Sequence, residues 1–200
     1  MAGGSDTRER LLQATLDQIE AGGEKAVRVR EVAAAVGVTV PSLYHFFGSR
    51  DGLVHHAQAR RFEAGLARMG LALAESLSAA TSRDEFRDAL RGYLEGILDR
   101  RNAPNRQART SVITSAFHDP DLARLVVETQ AAAVDRVAQM FAPAQAAGWI
   151  APDVDVRSVI LWAIVQINGF ALLELDKDGR SDAGFQRLFV DSVMGAFGLG

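Results

Sequence analysis

The segment from Thr39 to Gly48 predicts a helix of only about two turns, and so short a helix is stable only when it packs against other elements. Thr39 is a favoured N-cap, because its hydroxyl can accept a hydrogen bond from a backbone N–H of the first turn. Pro41 suits that turn, because a residue there has no intrahelical donor to lose. Gly48 suits the left-handed conformation that ends many helices. The chain must therefore build a small helical assembly around this segment.

Successive residues of a helix are rotated by about 100° about its axis, so this short helix has two distinct faces. Leu43, Phe46 and Phe47 share one side, which we expect to be buried. The opposite side carries four residues that do not form a second aliphatic face: Pro41, Ser42, Tyr44 and His45. The pattern predicts a helix that packs by one face only.

Another short helix precedes it, because Val29, Val32, Ala33 and Val36 recur at helical spacing and Gly37 follows them. Two short helices that meet at a glycine turn outline a helix-turn-helix, whose second helix enters the major groove of DNA. An ordinary helical hairpin in an all-α core fits the same spacing. Spacing alone therefore leaves both interpretations open.

Composition restricts the class of protein without selecting a function. With 200 residues, of which 48% are hydrophobic and 24% charged, the chain can bury a sizeable core. It has no cysteine, which excludes disulfides, thiolate metal sites and a cysteine nucleophile. The N-terminal residues lack the apolar segment of a secretory signal, and the apolar run 159–175 is short for a bilayer. We expect a cytoplasmic protein in which that run is a buried helix.

The distribution of charge favours a local contact with phosphate. The formal net charge is −3, which argues against a protein that coats DNA. Residues 28–61, however, contain five arginines and only two acidic residues. This local surplus of positive charge suits a phosphate contact near the short helices.

Helical periodicity continues through the rest of the chain, without a strand pattern of note. The first helix is expected to begin at a capping-box-like pair, Asp6 and Glu9, and to end at Gly22. Ser49 opens a long helix, and Ser82 with Glu85 forms a capping box. The helices after the two short ones are predicted at about 49–77, 82–100, 105–117, 122–147, 154–177 and 181–197. The fold class is all-α with about nine helices.

Three segments raise the question of metal binding. The sequence HDPD at residues 118–121 contains metal-capable side chains, but Asp119 and Pro120 are also typical of a helix start, which we favour. His55 and His56 are adjacent on a helix and point about 100° apart, so they suit solvent or an interdomain position better than one metal ion. Residues 174–179 lack the ligand spacing of a calcium loop. We predict neither a metal site nor a cofactor.

Residues 11–53 resemble the DNA-binding domain of the TetR family of bacterial one-component transcriptional regulators. The resemblance rests on a first helix that ends at glycine, a Val-Ala start to the next helix, and then GVT, LYHFF and GSR at the family's spacing. Two positions depart from the family's pattern. Ile19 lies where the family usually has phenylalanine, and Arg28 lies where a Ser or Thr commonly caps the second helix. The resemblance implies a DNA-binding domain over residues 1–53 and a helical regulatory domain over 54–200.

The resemblance also implies which side chains approach DNA. Tyr44 and Arg50 would bind phosphates, and His45 would face the bases. The expected DNA contacts are Arg28, Arg30, Thr39, Val40, Pro41, Ser42, Tyr44, His45 and Arg50.

One helix-turn-helix reads only half of a palindromic operator, so we expect a homodimer. The two C-terminal helices carry apolar residues on more than one face, which suits an isologous four-helix bundle. The expected interface residues are Trp162, Ile167, Phe170, Phe185, Phe189, Val193 and Phe197.

A cavity between the middle helices is expected to bind an uncharged, largely apolar or aromatic ligand that releases a repressor from DNA. Its candidate lining is Met69, Phe86, Tyr93, Ile97, Phe117, Met140, Phe141, Trp162, Gln166 and Asn168. Two other classes stay open: a helical adaptor that binds only proteins, and a small all-α enzyme with a His/Asp pair. The sequence offers the enzyme no nucleophile motif and no phosphate loop.

Overall fold

The computed structural model describes residues 2–180 and 182–200, and of residues 2–5 only the backbone. The described residues form α-helices and two short 3-10 turns, at Glu24–Ala26 and Arg100–Asn102, without a strand, so the all-α prediction is confirmed. The α-helices are α1 (Ala2–Gly22), α2 (Val29–Val36), α3 (Val40–Phe47), α4 (Arg50–Leu77), α5 (Arg83–Ile97), α6 (Ala103–Ala116), α7 (Pro120–Met140), α8 (Ala142–Ala146), α9 (Val156–Leu173) and α10 (Asp182–Ala196). The predicted start of the last helix, Ser181, lies outside the described residues.

The helices form two compact units, each with its own hydrophobic core. The first contains the described residues up to 63 together with 112–127, and the second contains 64–111 and 128–200. The first unit thus extends beyond the predicted domain of residues 1–53. Helices α4, α6 and α7 contribute residues to both units.

The first unit is built around helices α1, α2 and α3. Its core includes Leu11, Val32, Leu43 and Phe47, one or two residues from each helix. Helix α1 begins upstream of the predicted capping pair, so Asp6 lies inside the helix and pairs with Arg10 at 3.1 Å. The prediction of a capping box at Asp6 was therefore wrong.

In the second unit, the helix ends follow local chemistry. Ser82 caps α5 by accepting from the backbone N–H of Glu85 at 3.3 Å, as predicted. The Glu85 carboxylate accepts in turn from the backbone N–H and hydroxyl of Thr81, and these bonds lower the pKa of Glu85. The single helix predicted at 122–147 is interrupted at Phe141, because Pro143 has no N–H with which to continue the hydrogen-bond ladder.

Helix α9 is apolar on two faces. By length and composition alone it could cross a membrane, with a mean hydropathy of 1.7, but a third of it is buried inside the chain. The buried residues Val156, Ile160, Ile164, Ile167 and Phe170 recur at three- and four-residue spacing and pack into the core of the second unit. The helix predicted to be buried is therefore buried on one face only.

Candidate nucleic-acid interface and cavities

Helix α3 presents the polar face that its sequence predicts. Thr39 adopts an extended conformation and its Oγ1 accepts from the backbone N–H of Ser42 at 3.3 Å, which confirms the predicted N-cap. Leu43 is fully buried, whereas Tyr44 is 40% exposed and His45 is also exposed. Pro41 and Ser42 are exposed as well. The outward side of α3 is therefore available to a partner while its apolar side holds the unit together.

The turn before α3 fixes its position. Gly37 adopts a left-handed conformation with φ of 78°, and the backbone N–H of Val38 donates to the carbonyl of Ala33. Only glycine adopts this conformation without steric cost. Helix α2 thus ends one residue before the turn, as predicted.

Arg28 begins α2 without a capping side chain, and helix α1 compensates for this. The backbone N–H of Arg28 donates to Oε1 of Gln18 at 2.7 Å, while Nε2 of Gln18 donates to Glu31 at 3.3 Å. The side-chain amide of Gln18 in α1 therefore accepts from the backbone N–H of the residue that begins α2. The Arg28 side chain is exposed and donates to the carbonyl of Lys25.

Arg50, predicted to contact phosphate, makes structural contacts within the first unit. Its guanidinium donates to the backbone carbonyls of Glu24 at 2.6 Å and Val27 at 3.3 Å, and it also pairs with Asp51. All three guanidinium nitrogens are therefore engaged within the first unit. Arg50 ties the start of α4 to the turn before α2, and its predicted contact with phosphate stays a prediction.

The local surplus of positive charge is smaller than the sequence count implies. Arg60 pairs with Glu9 at 2.8 Å, and Arg61 lies 3.8 Å from Glu20. Both acids belong to α1, which is distant in sequence, so the count over residues 28–61 misses them. Among the described residues, the basic side chains near α2 without an ion pair are Lys25, Arg28 and Arg30. Lys25, exposed in the 3-10 turn, was missed by sequence reasoning.

The two adjacent histidines have different partners in the first unit. Nε2 of His55 lies 2.7 Å from Oδ2 of Asp119, whose Oδ1 accepts from the backbone N–H of Leu122 and caps α7. The predicted helix start at residues 119–120 is therefore confirmed. Burial and the nearby Arg8 guanidinium lower the pKa of His56. Both histidines are half-buried, so neither is a fully solvent-exposed side chain.

Two adjacent cavities lie in the second unit. The first, of about 70 Å³, has an apolar lining that includes four of the predicted ligand residues, Met69, Tyr93, Ile97 and Phe141. The second, of about 350 Å³, shares Met69, Tyr93, Ile97 and Ile167 with the first. Unlike the first cavity, it is also lined by three arginines, Arg68, Arg106 and Arg109.

Six residues predicted to line a cavity lie elsewhere. Phe117 is 83% exposed in the first unit, and Trp162 is 43% exposed on α9. Phe86 packs in the core against Phe141, and Met140 packs at the edge of that core. Gln166 is half-buried and lines neither cavity. Asn168 also lines neither, although it accepts a hydrogen bond from Arg109.

Sequence reasoning missed the buried arginines of α6. Arg106 is almost completely buried and pairs with Glu174, while Nη1 donates to the carbonyl of Ile97 at 2.8 Å. Arg109 is 3% exposed, and its Nε donates to Oδ1 of Asn168 at 3.1 Å. A hydropathy pattern assigns both arginines to the surface. Their spacing of three residues, which places them on one side of a helix, was the available signal.

Most of the predicted dimer residues belong to the core of the second unit. Five of them are buried within the chain: Ile167, Phe170, Phe189, Val193 and Phe197. Phe185 is half-buried and packs on Phe170. Of the predicted set only Trp162 is exposed, and the other exposed large apolar residues of α9 and α10 are Val165, Leu172 and Leu188. A core face and an interface have the same periodicity, so the predicted set includes residues that pack in the core of the chain, and the dimer interface itself stays a prediction.

Comparison with protein families identifies the first unit. Residues 11–57 match the family described as bacterial regulatory proteins, tetR family. This match includes α2, α3 and the turn between them.

Two curated relatives are transcriptional regulators. The HTH-type transcriptional regulator BetI of Stenotrophomonas maltophilia is 28% identical over 123 residues, which cover 59% of this chain and 58% of that protein. The HTH-type transcriptional repressor KstR of Rhodococcus jostii is 43% identical over 58 residues, 29% of this chain and 27% of that protein. The chain thus matches less than two thirds of the length of either relative.

The fold has relatives among solved structures. A Rhodococcus sp. protein assigned to the TetR family of transcriptional regulators superposes with a TM-score of 0.68 at 25% identity, over 96% of this chain and 99% of that one. Similarity to the curated regulators is therefore partial in sequence, whereas similarity in fold extends over nearly the whole chain.

Proposed function

Because the chain belongs to the TetR family of bacterial regulatory proteins, we propose that it is a DNA-binding transcriptional regulator of the cytoplasm and not an enzyme. In this proposal it is a repressor that binds a palindromic operator as a homodimer and is released by a small, largely apolar ligand. The observation that carries the proposal is the exposed polar face of α3, held on a buried apolar face. A protein-binding adaptor would not require this face to fit a groove of DNA.

The side chains of α3 suit distinct roles on DNA. Tyr44 is exposed and its hydroxyl can donate to a phosphate, and His45 lies at the centre of the outward face, where a recognition helix contacts bases. Val40 and Pro41 can contact thymine methyl groups. Thr39 and Ser42 begin the helix and can donate to phosphate or base edges.

The exposed cations near α2 suit the DNA backbone. Lys25, Arg28 and Arg30 have no ion pair within the described residues, so a phosphate would not compete with an internal carboxylate. Arg28 and Arg30 belong to the predicted set, whereas Lys25 extends it. Neutralising phosphates makes binding strongly dependent on salt.

The test is a gel-retardation assay with DNA from upstream of the coding region, at several salt concentrations. Tyr44→Phe should weaken binding to all sequences by about twofold to tenfold, which corresponds to one hydrogen bond of about 0.5–1.5 kcal/mol. His45→Ala should change the preference among single-base operator variants. Tyr93→Phe is the matched control, since that hydroxyl donates to the carbonyl of Met69 in the second unit. No retardation at low salt by the parent protein would refute the proposal.

The proposed dimer interface uses the exposed apolar residues of α9 and α10, Trp162, Val165, Leu172 and Leu188. These residues extend the apolar character of both helices beyond the face that packs in the core. A dimer would place two recognition helices about 34–36 Å apart, one turn of DNA.

Two adjacent residues on α10 separate the interface from the core. Leu188 is 68% exposed and Phe189 is 2% exposed. Leu188→Glu should give a folded monomer with weakened operator binding, because a carboxylate there would be desolvated only in the dimer. Phe189→Glu should lower the melting temperature of the chain itself. Sedimentation at micromolar concentration decides the matter, and a stable dimer of Leu188→Glu would contradict the proposed interface.

Ligand release would follow from differential affinity. A ligand that binds the second unit more tightly in a conformation unsuited to the operator shifts the population away from DNA. Helix α4 contributes residues to the cavity lining and to the first unit, so it is the proposed lever.

A further inference from the structure

We propose that the second unit binds a small amphiphilic anion, whose acidic group is held by Arg109 and whose apolar part occupies the adjacent apolar cavity. The inference rests on the proposed function only in that this anion would be the effector. It replaces the expectation of an uncharged ligand.

The first support is the missing partner of Arg109. Its Nε donates to the neutral Asn168, and its Nη1 contacts the sulfur of Met69. Its Nη2 is buried and has no hydrogen-bond partner in the described part of the chain. Buried charges are normally paired, because an isolated charge in a poorly solvated site is costly. An anion would supply the counter-charge that the described side chains do not.

Arg106 on the same helix provides an internal comparison. It lies one turn away, lines the same cavity and is also buried, but Glu174 neutralises it. Burial and the neighbouring Arg106 lower the pKa of Arg109 to about 10, so Arg109 is still charged at neutral pH. Of these two buried arginines, only Arg106 has a carboxylate partner within the described residues.

The second support is the lining of the cavity around Arg109. Arg68 lines it too and donates to the amide oxygen of Asn105 at 2.8 Å, so a second cation there lacks a carboxylate within the described residues. Gly92 and Gly96 lie one turn apart on α5, and a Cβ at either position would meet no atom within 4 Å. Arg68, Gly92 and Gly96 are exposed, so the cavity opens to solvent at this end and a ligand can enter beside Arg68.

The third support is the apolar cavity next to it. Met69, Tyr93, Ile97 and Ile167 line both cavities, so a ligand held at Arg109 can extend along them into an apolar environment. The Tyr93 hydroxyl already donates to the carbonyl of Met69 at 3.1 Å, which leaves its ring as the surface offered to a ligand. Together the two cavities suit a ligand with a charged head and an apolar tail.

The test is calorimetric titration of the full chain without DNA, with decanoate, decyl sulfate and uncharged decanol as probes. The unaltered protein should bind both anions about tenfold or more tightly than decanol, since one charge-assisted hydrogen bond provides at least that factor. Arg109→Met should remove this preference. Arg157→Met is the matched control, because Arg157 is an exposed arginine of the same unit that pairs with Asp135, and it should keep the preference.

Two measurements keep the inference testable whatever the stability of Arg109→Met. We expect this variant to melt at a higher temperature than the parent, because it removes an unpaired buried charge. Gly92→Leu should fill the open space and weaken decanoate binding while all arginines stay in place.

Equal affinity of the unaltered protein for decanoate and decanol would overturn the inference, as would an unchanged preference in Arg109→Met. Selectivity for decyl sulfate over decanoate would assign the site to sulfate- or phosphate-like heads, and the reverse to carboxylates.

The operator assay separates this inference from the proposed function. Decanoate should release the protein from its operator, and Arg109→Met should bind the operator but resist release. Anion binding without release would overturn the effector role, and release by decanol alone would do the same. A failure to bind DNA at all would refute the regulator proposal and leave the calorimetric result intact.

Discussion

The buried pair of Arg106 and Glu174 gives a prediction whose magnitude follows from its surroundings. Both side chains are almost fully buried, and Nε of Arg106 donates to Oε1 of Glu174 at 3.0 Å. Glu174→Leu removes the only carboxylate that pairs with Arg106 among the described residues. Breaking such a pair from one side typically costs about 3–5 kcal/mol, because the other charge stays buried without its partner.

Other contacts of Arg106 place the expected loss at the lower end of that range. The guanidinium keeps the carbonyls of Ile97 at 2.8 Å and Asp99 at 2.9 Å as acceptors, and it lies 5.2 Å from the centre of the Phe170 ring. We therefore expect Glu174→Leu to lower the free energy of unfolding by about 3 kcal/mol. The double variant Arg106→Met/Glu174→Leu should recover most of this loss, because it removes both charges.

Denaturant unfolding followed by tryptophan fluorescence measures this prediction. Both tryptophans, Trp149 and Trp162, lie in the second unit, so the signal reports the unit that contains the pair. Asp135→Leu is the control, since it breaks an exposed pair with Arg157, for which about 0–1 kcal/mol is expected. A double variant no more stable than Glu174→Leu would refute the reasoning, because the loss could not then come from an unpaired charge.

Three further predictions concern the first unit. Thr39→Ala should lower its stability by about 1 kcal/mol, the usual cost of losing an N-cap, and Thr39→Ser should restore it; unchanged melting by circular dichroism would contradict the cap. Arg50→Gln should lower the melting temperature more than Arg30→Gln, because of the two only Arg50 donates to backbone carbonyls of the first unit; equal melting would contradict this structural role. The pKa of His56 is lowered from 6.5, so the unfolded chain takes up the proton first as the pH falls through 6.5, and stability decreases until the folded chain is protonated. His56→Asn should reduce the loss of stability between about pH 7.5 and 5.5, and an identical pH profile would exclude His56 as its source.

The predictable part of the fold was the part decided by neighbours in sequence. The caps at Thr39, Ser82 and Asp119 need only one acceptor side chain and the backbone N–H three residues later. The left-handed glycines at positions 37 and 48 likewise act within one turn. Asp6 was the exception, because a helix can begin upstream of a good cap when the preceding residues also adopt helical geometry.

The candidate DNA contacts were predictable only in part, because pairing between distant residues decides which cations are available. Arg28 and Arg30 kept exposed side chains, whereas Arg50 is held by two carbonyls more than twenty residues earlier in the chain. Arg60 and Arg61 are paired with acids of α1. A count of charge along a segment cannot include partners that only the fold brings close.

The same limit explains why the sequence predicted an uncharged ligand. Hydropathy assigns the arginines of α6 to the surface, so the lining inferred from it contained apolar residues and amides only. In the structure Arg106 and Arg109 enter the interior together, and one glutamate neutralises one of them. If the second charge served stability alone, an apolar residue at position 109 would serve better, because replacing an unpaired buried charge removes a desolvation cost. A buried guanidinium nitrogen without a partner among the described residues, beside a cavity, is therefore better explained by a ligand that comes from outside the chain.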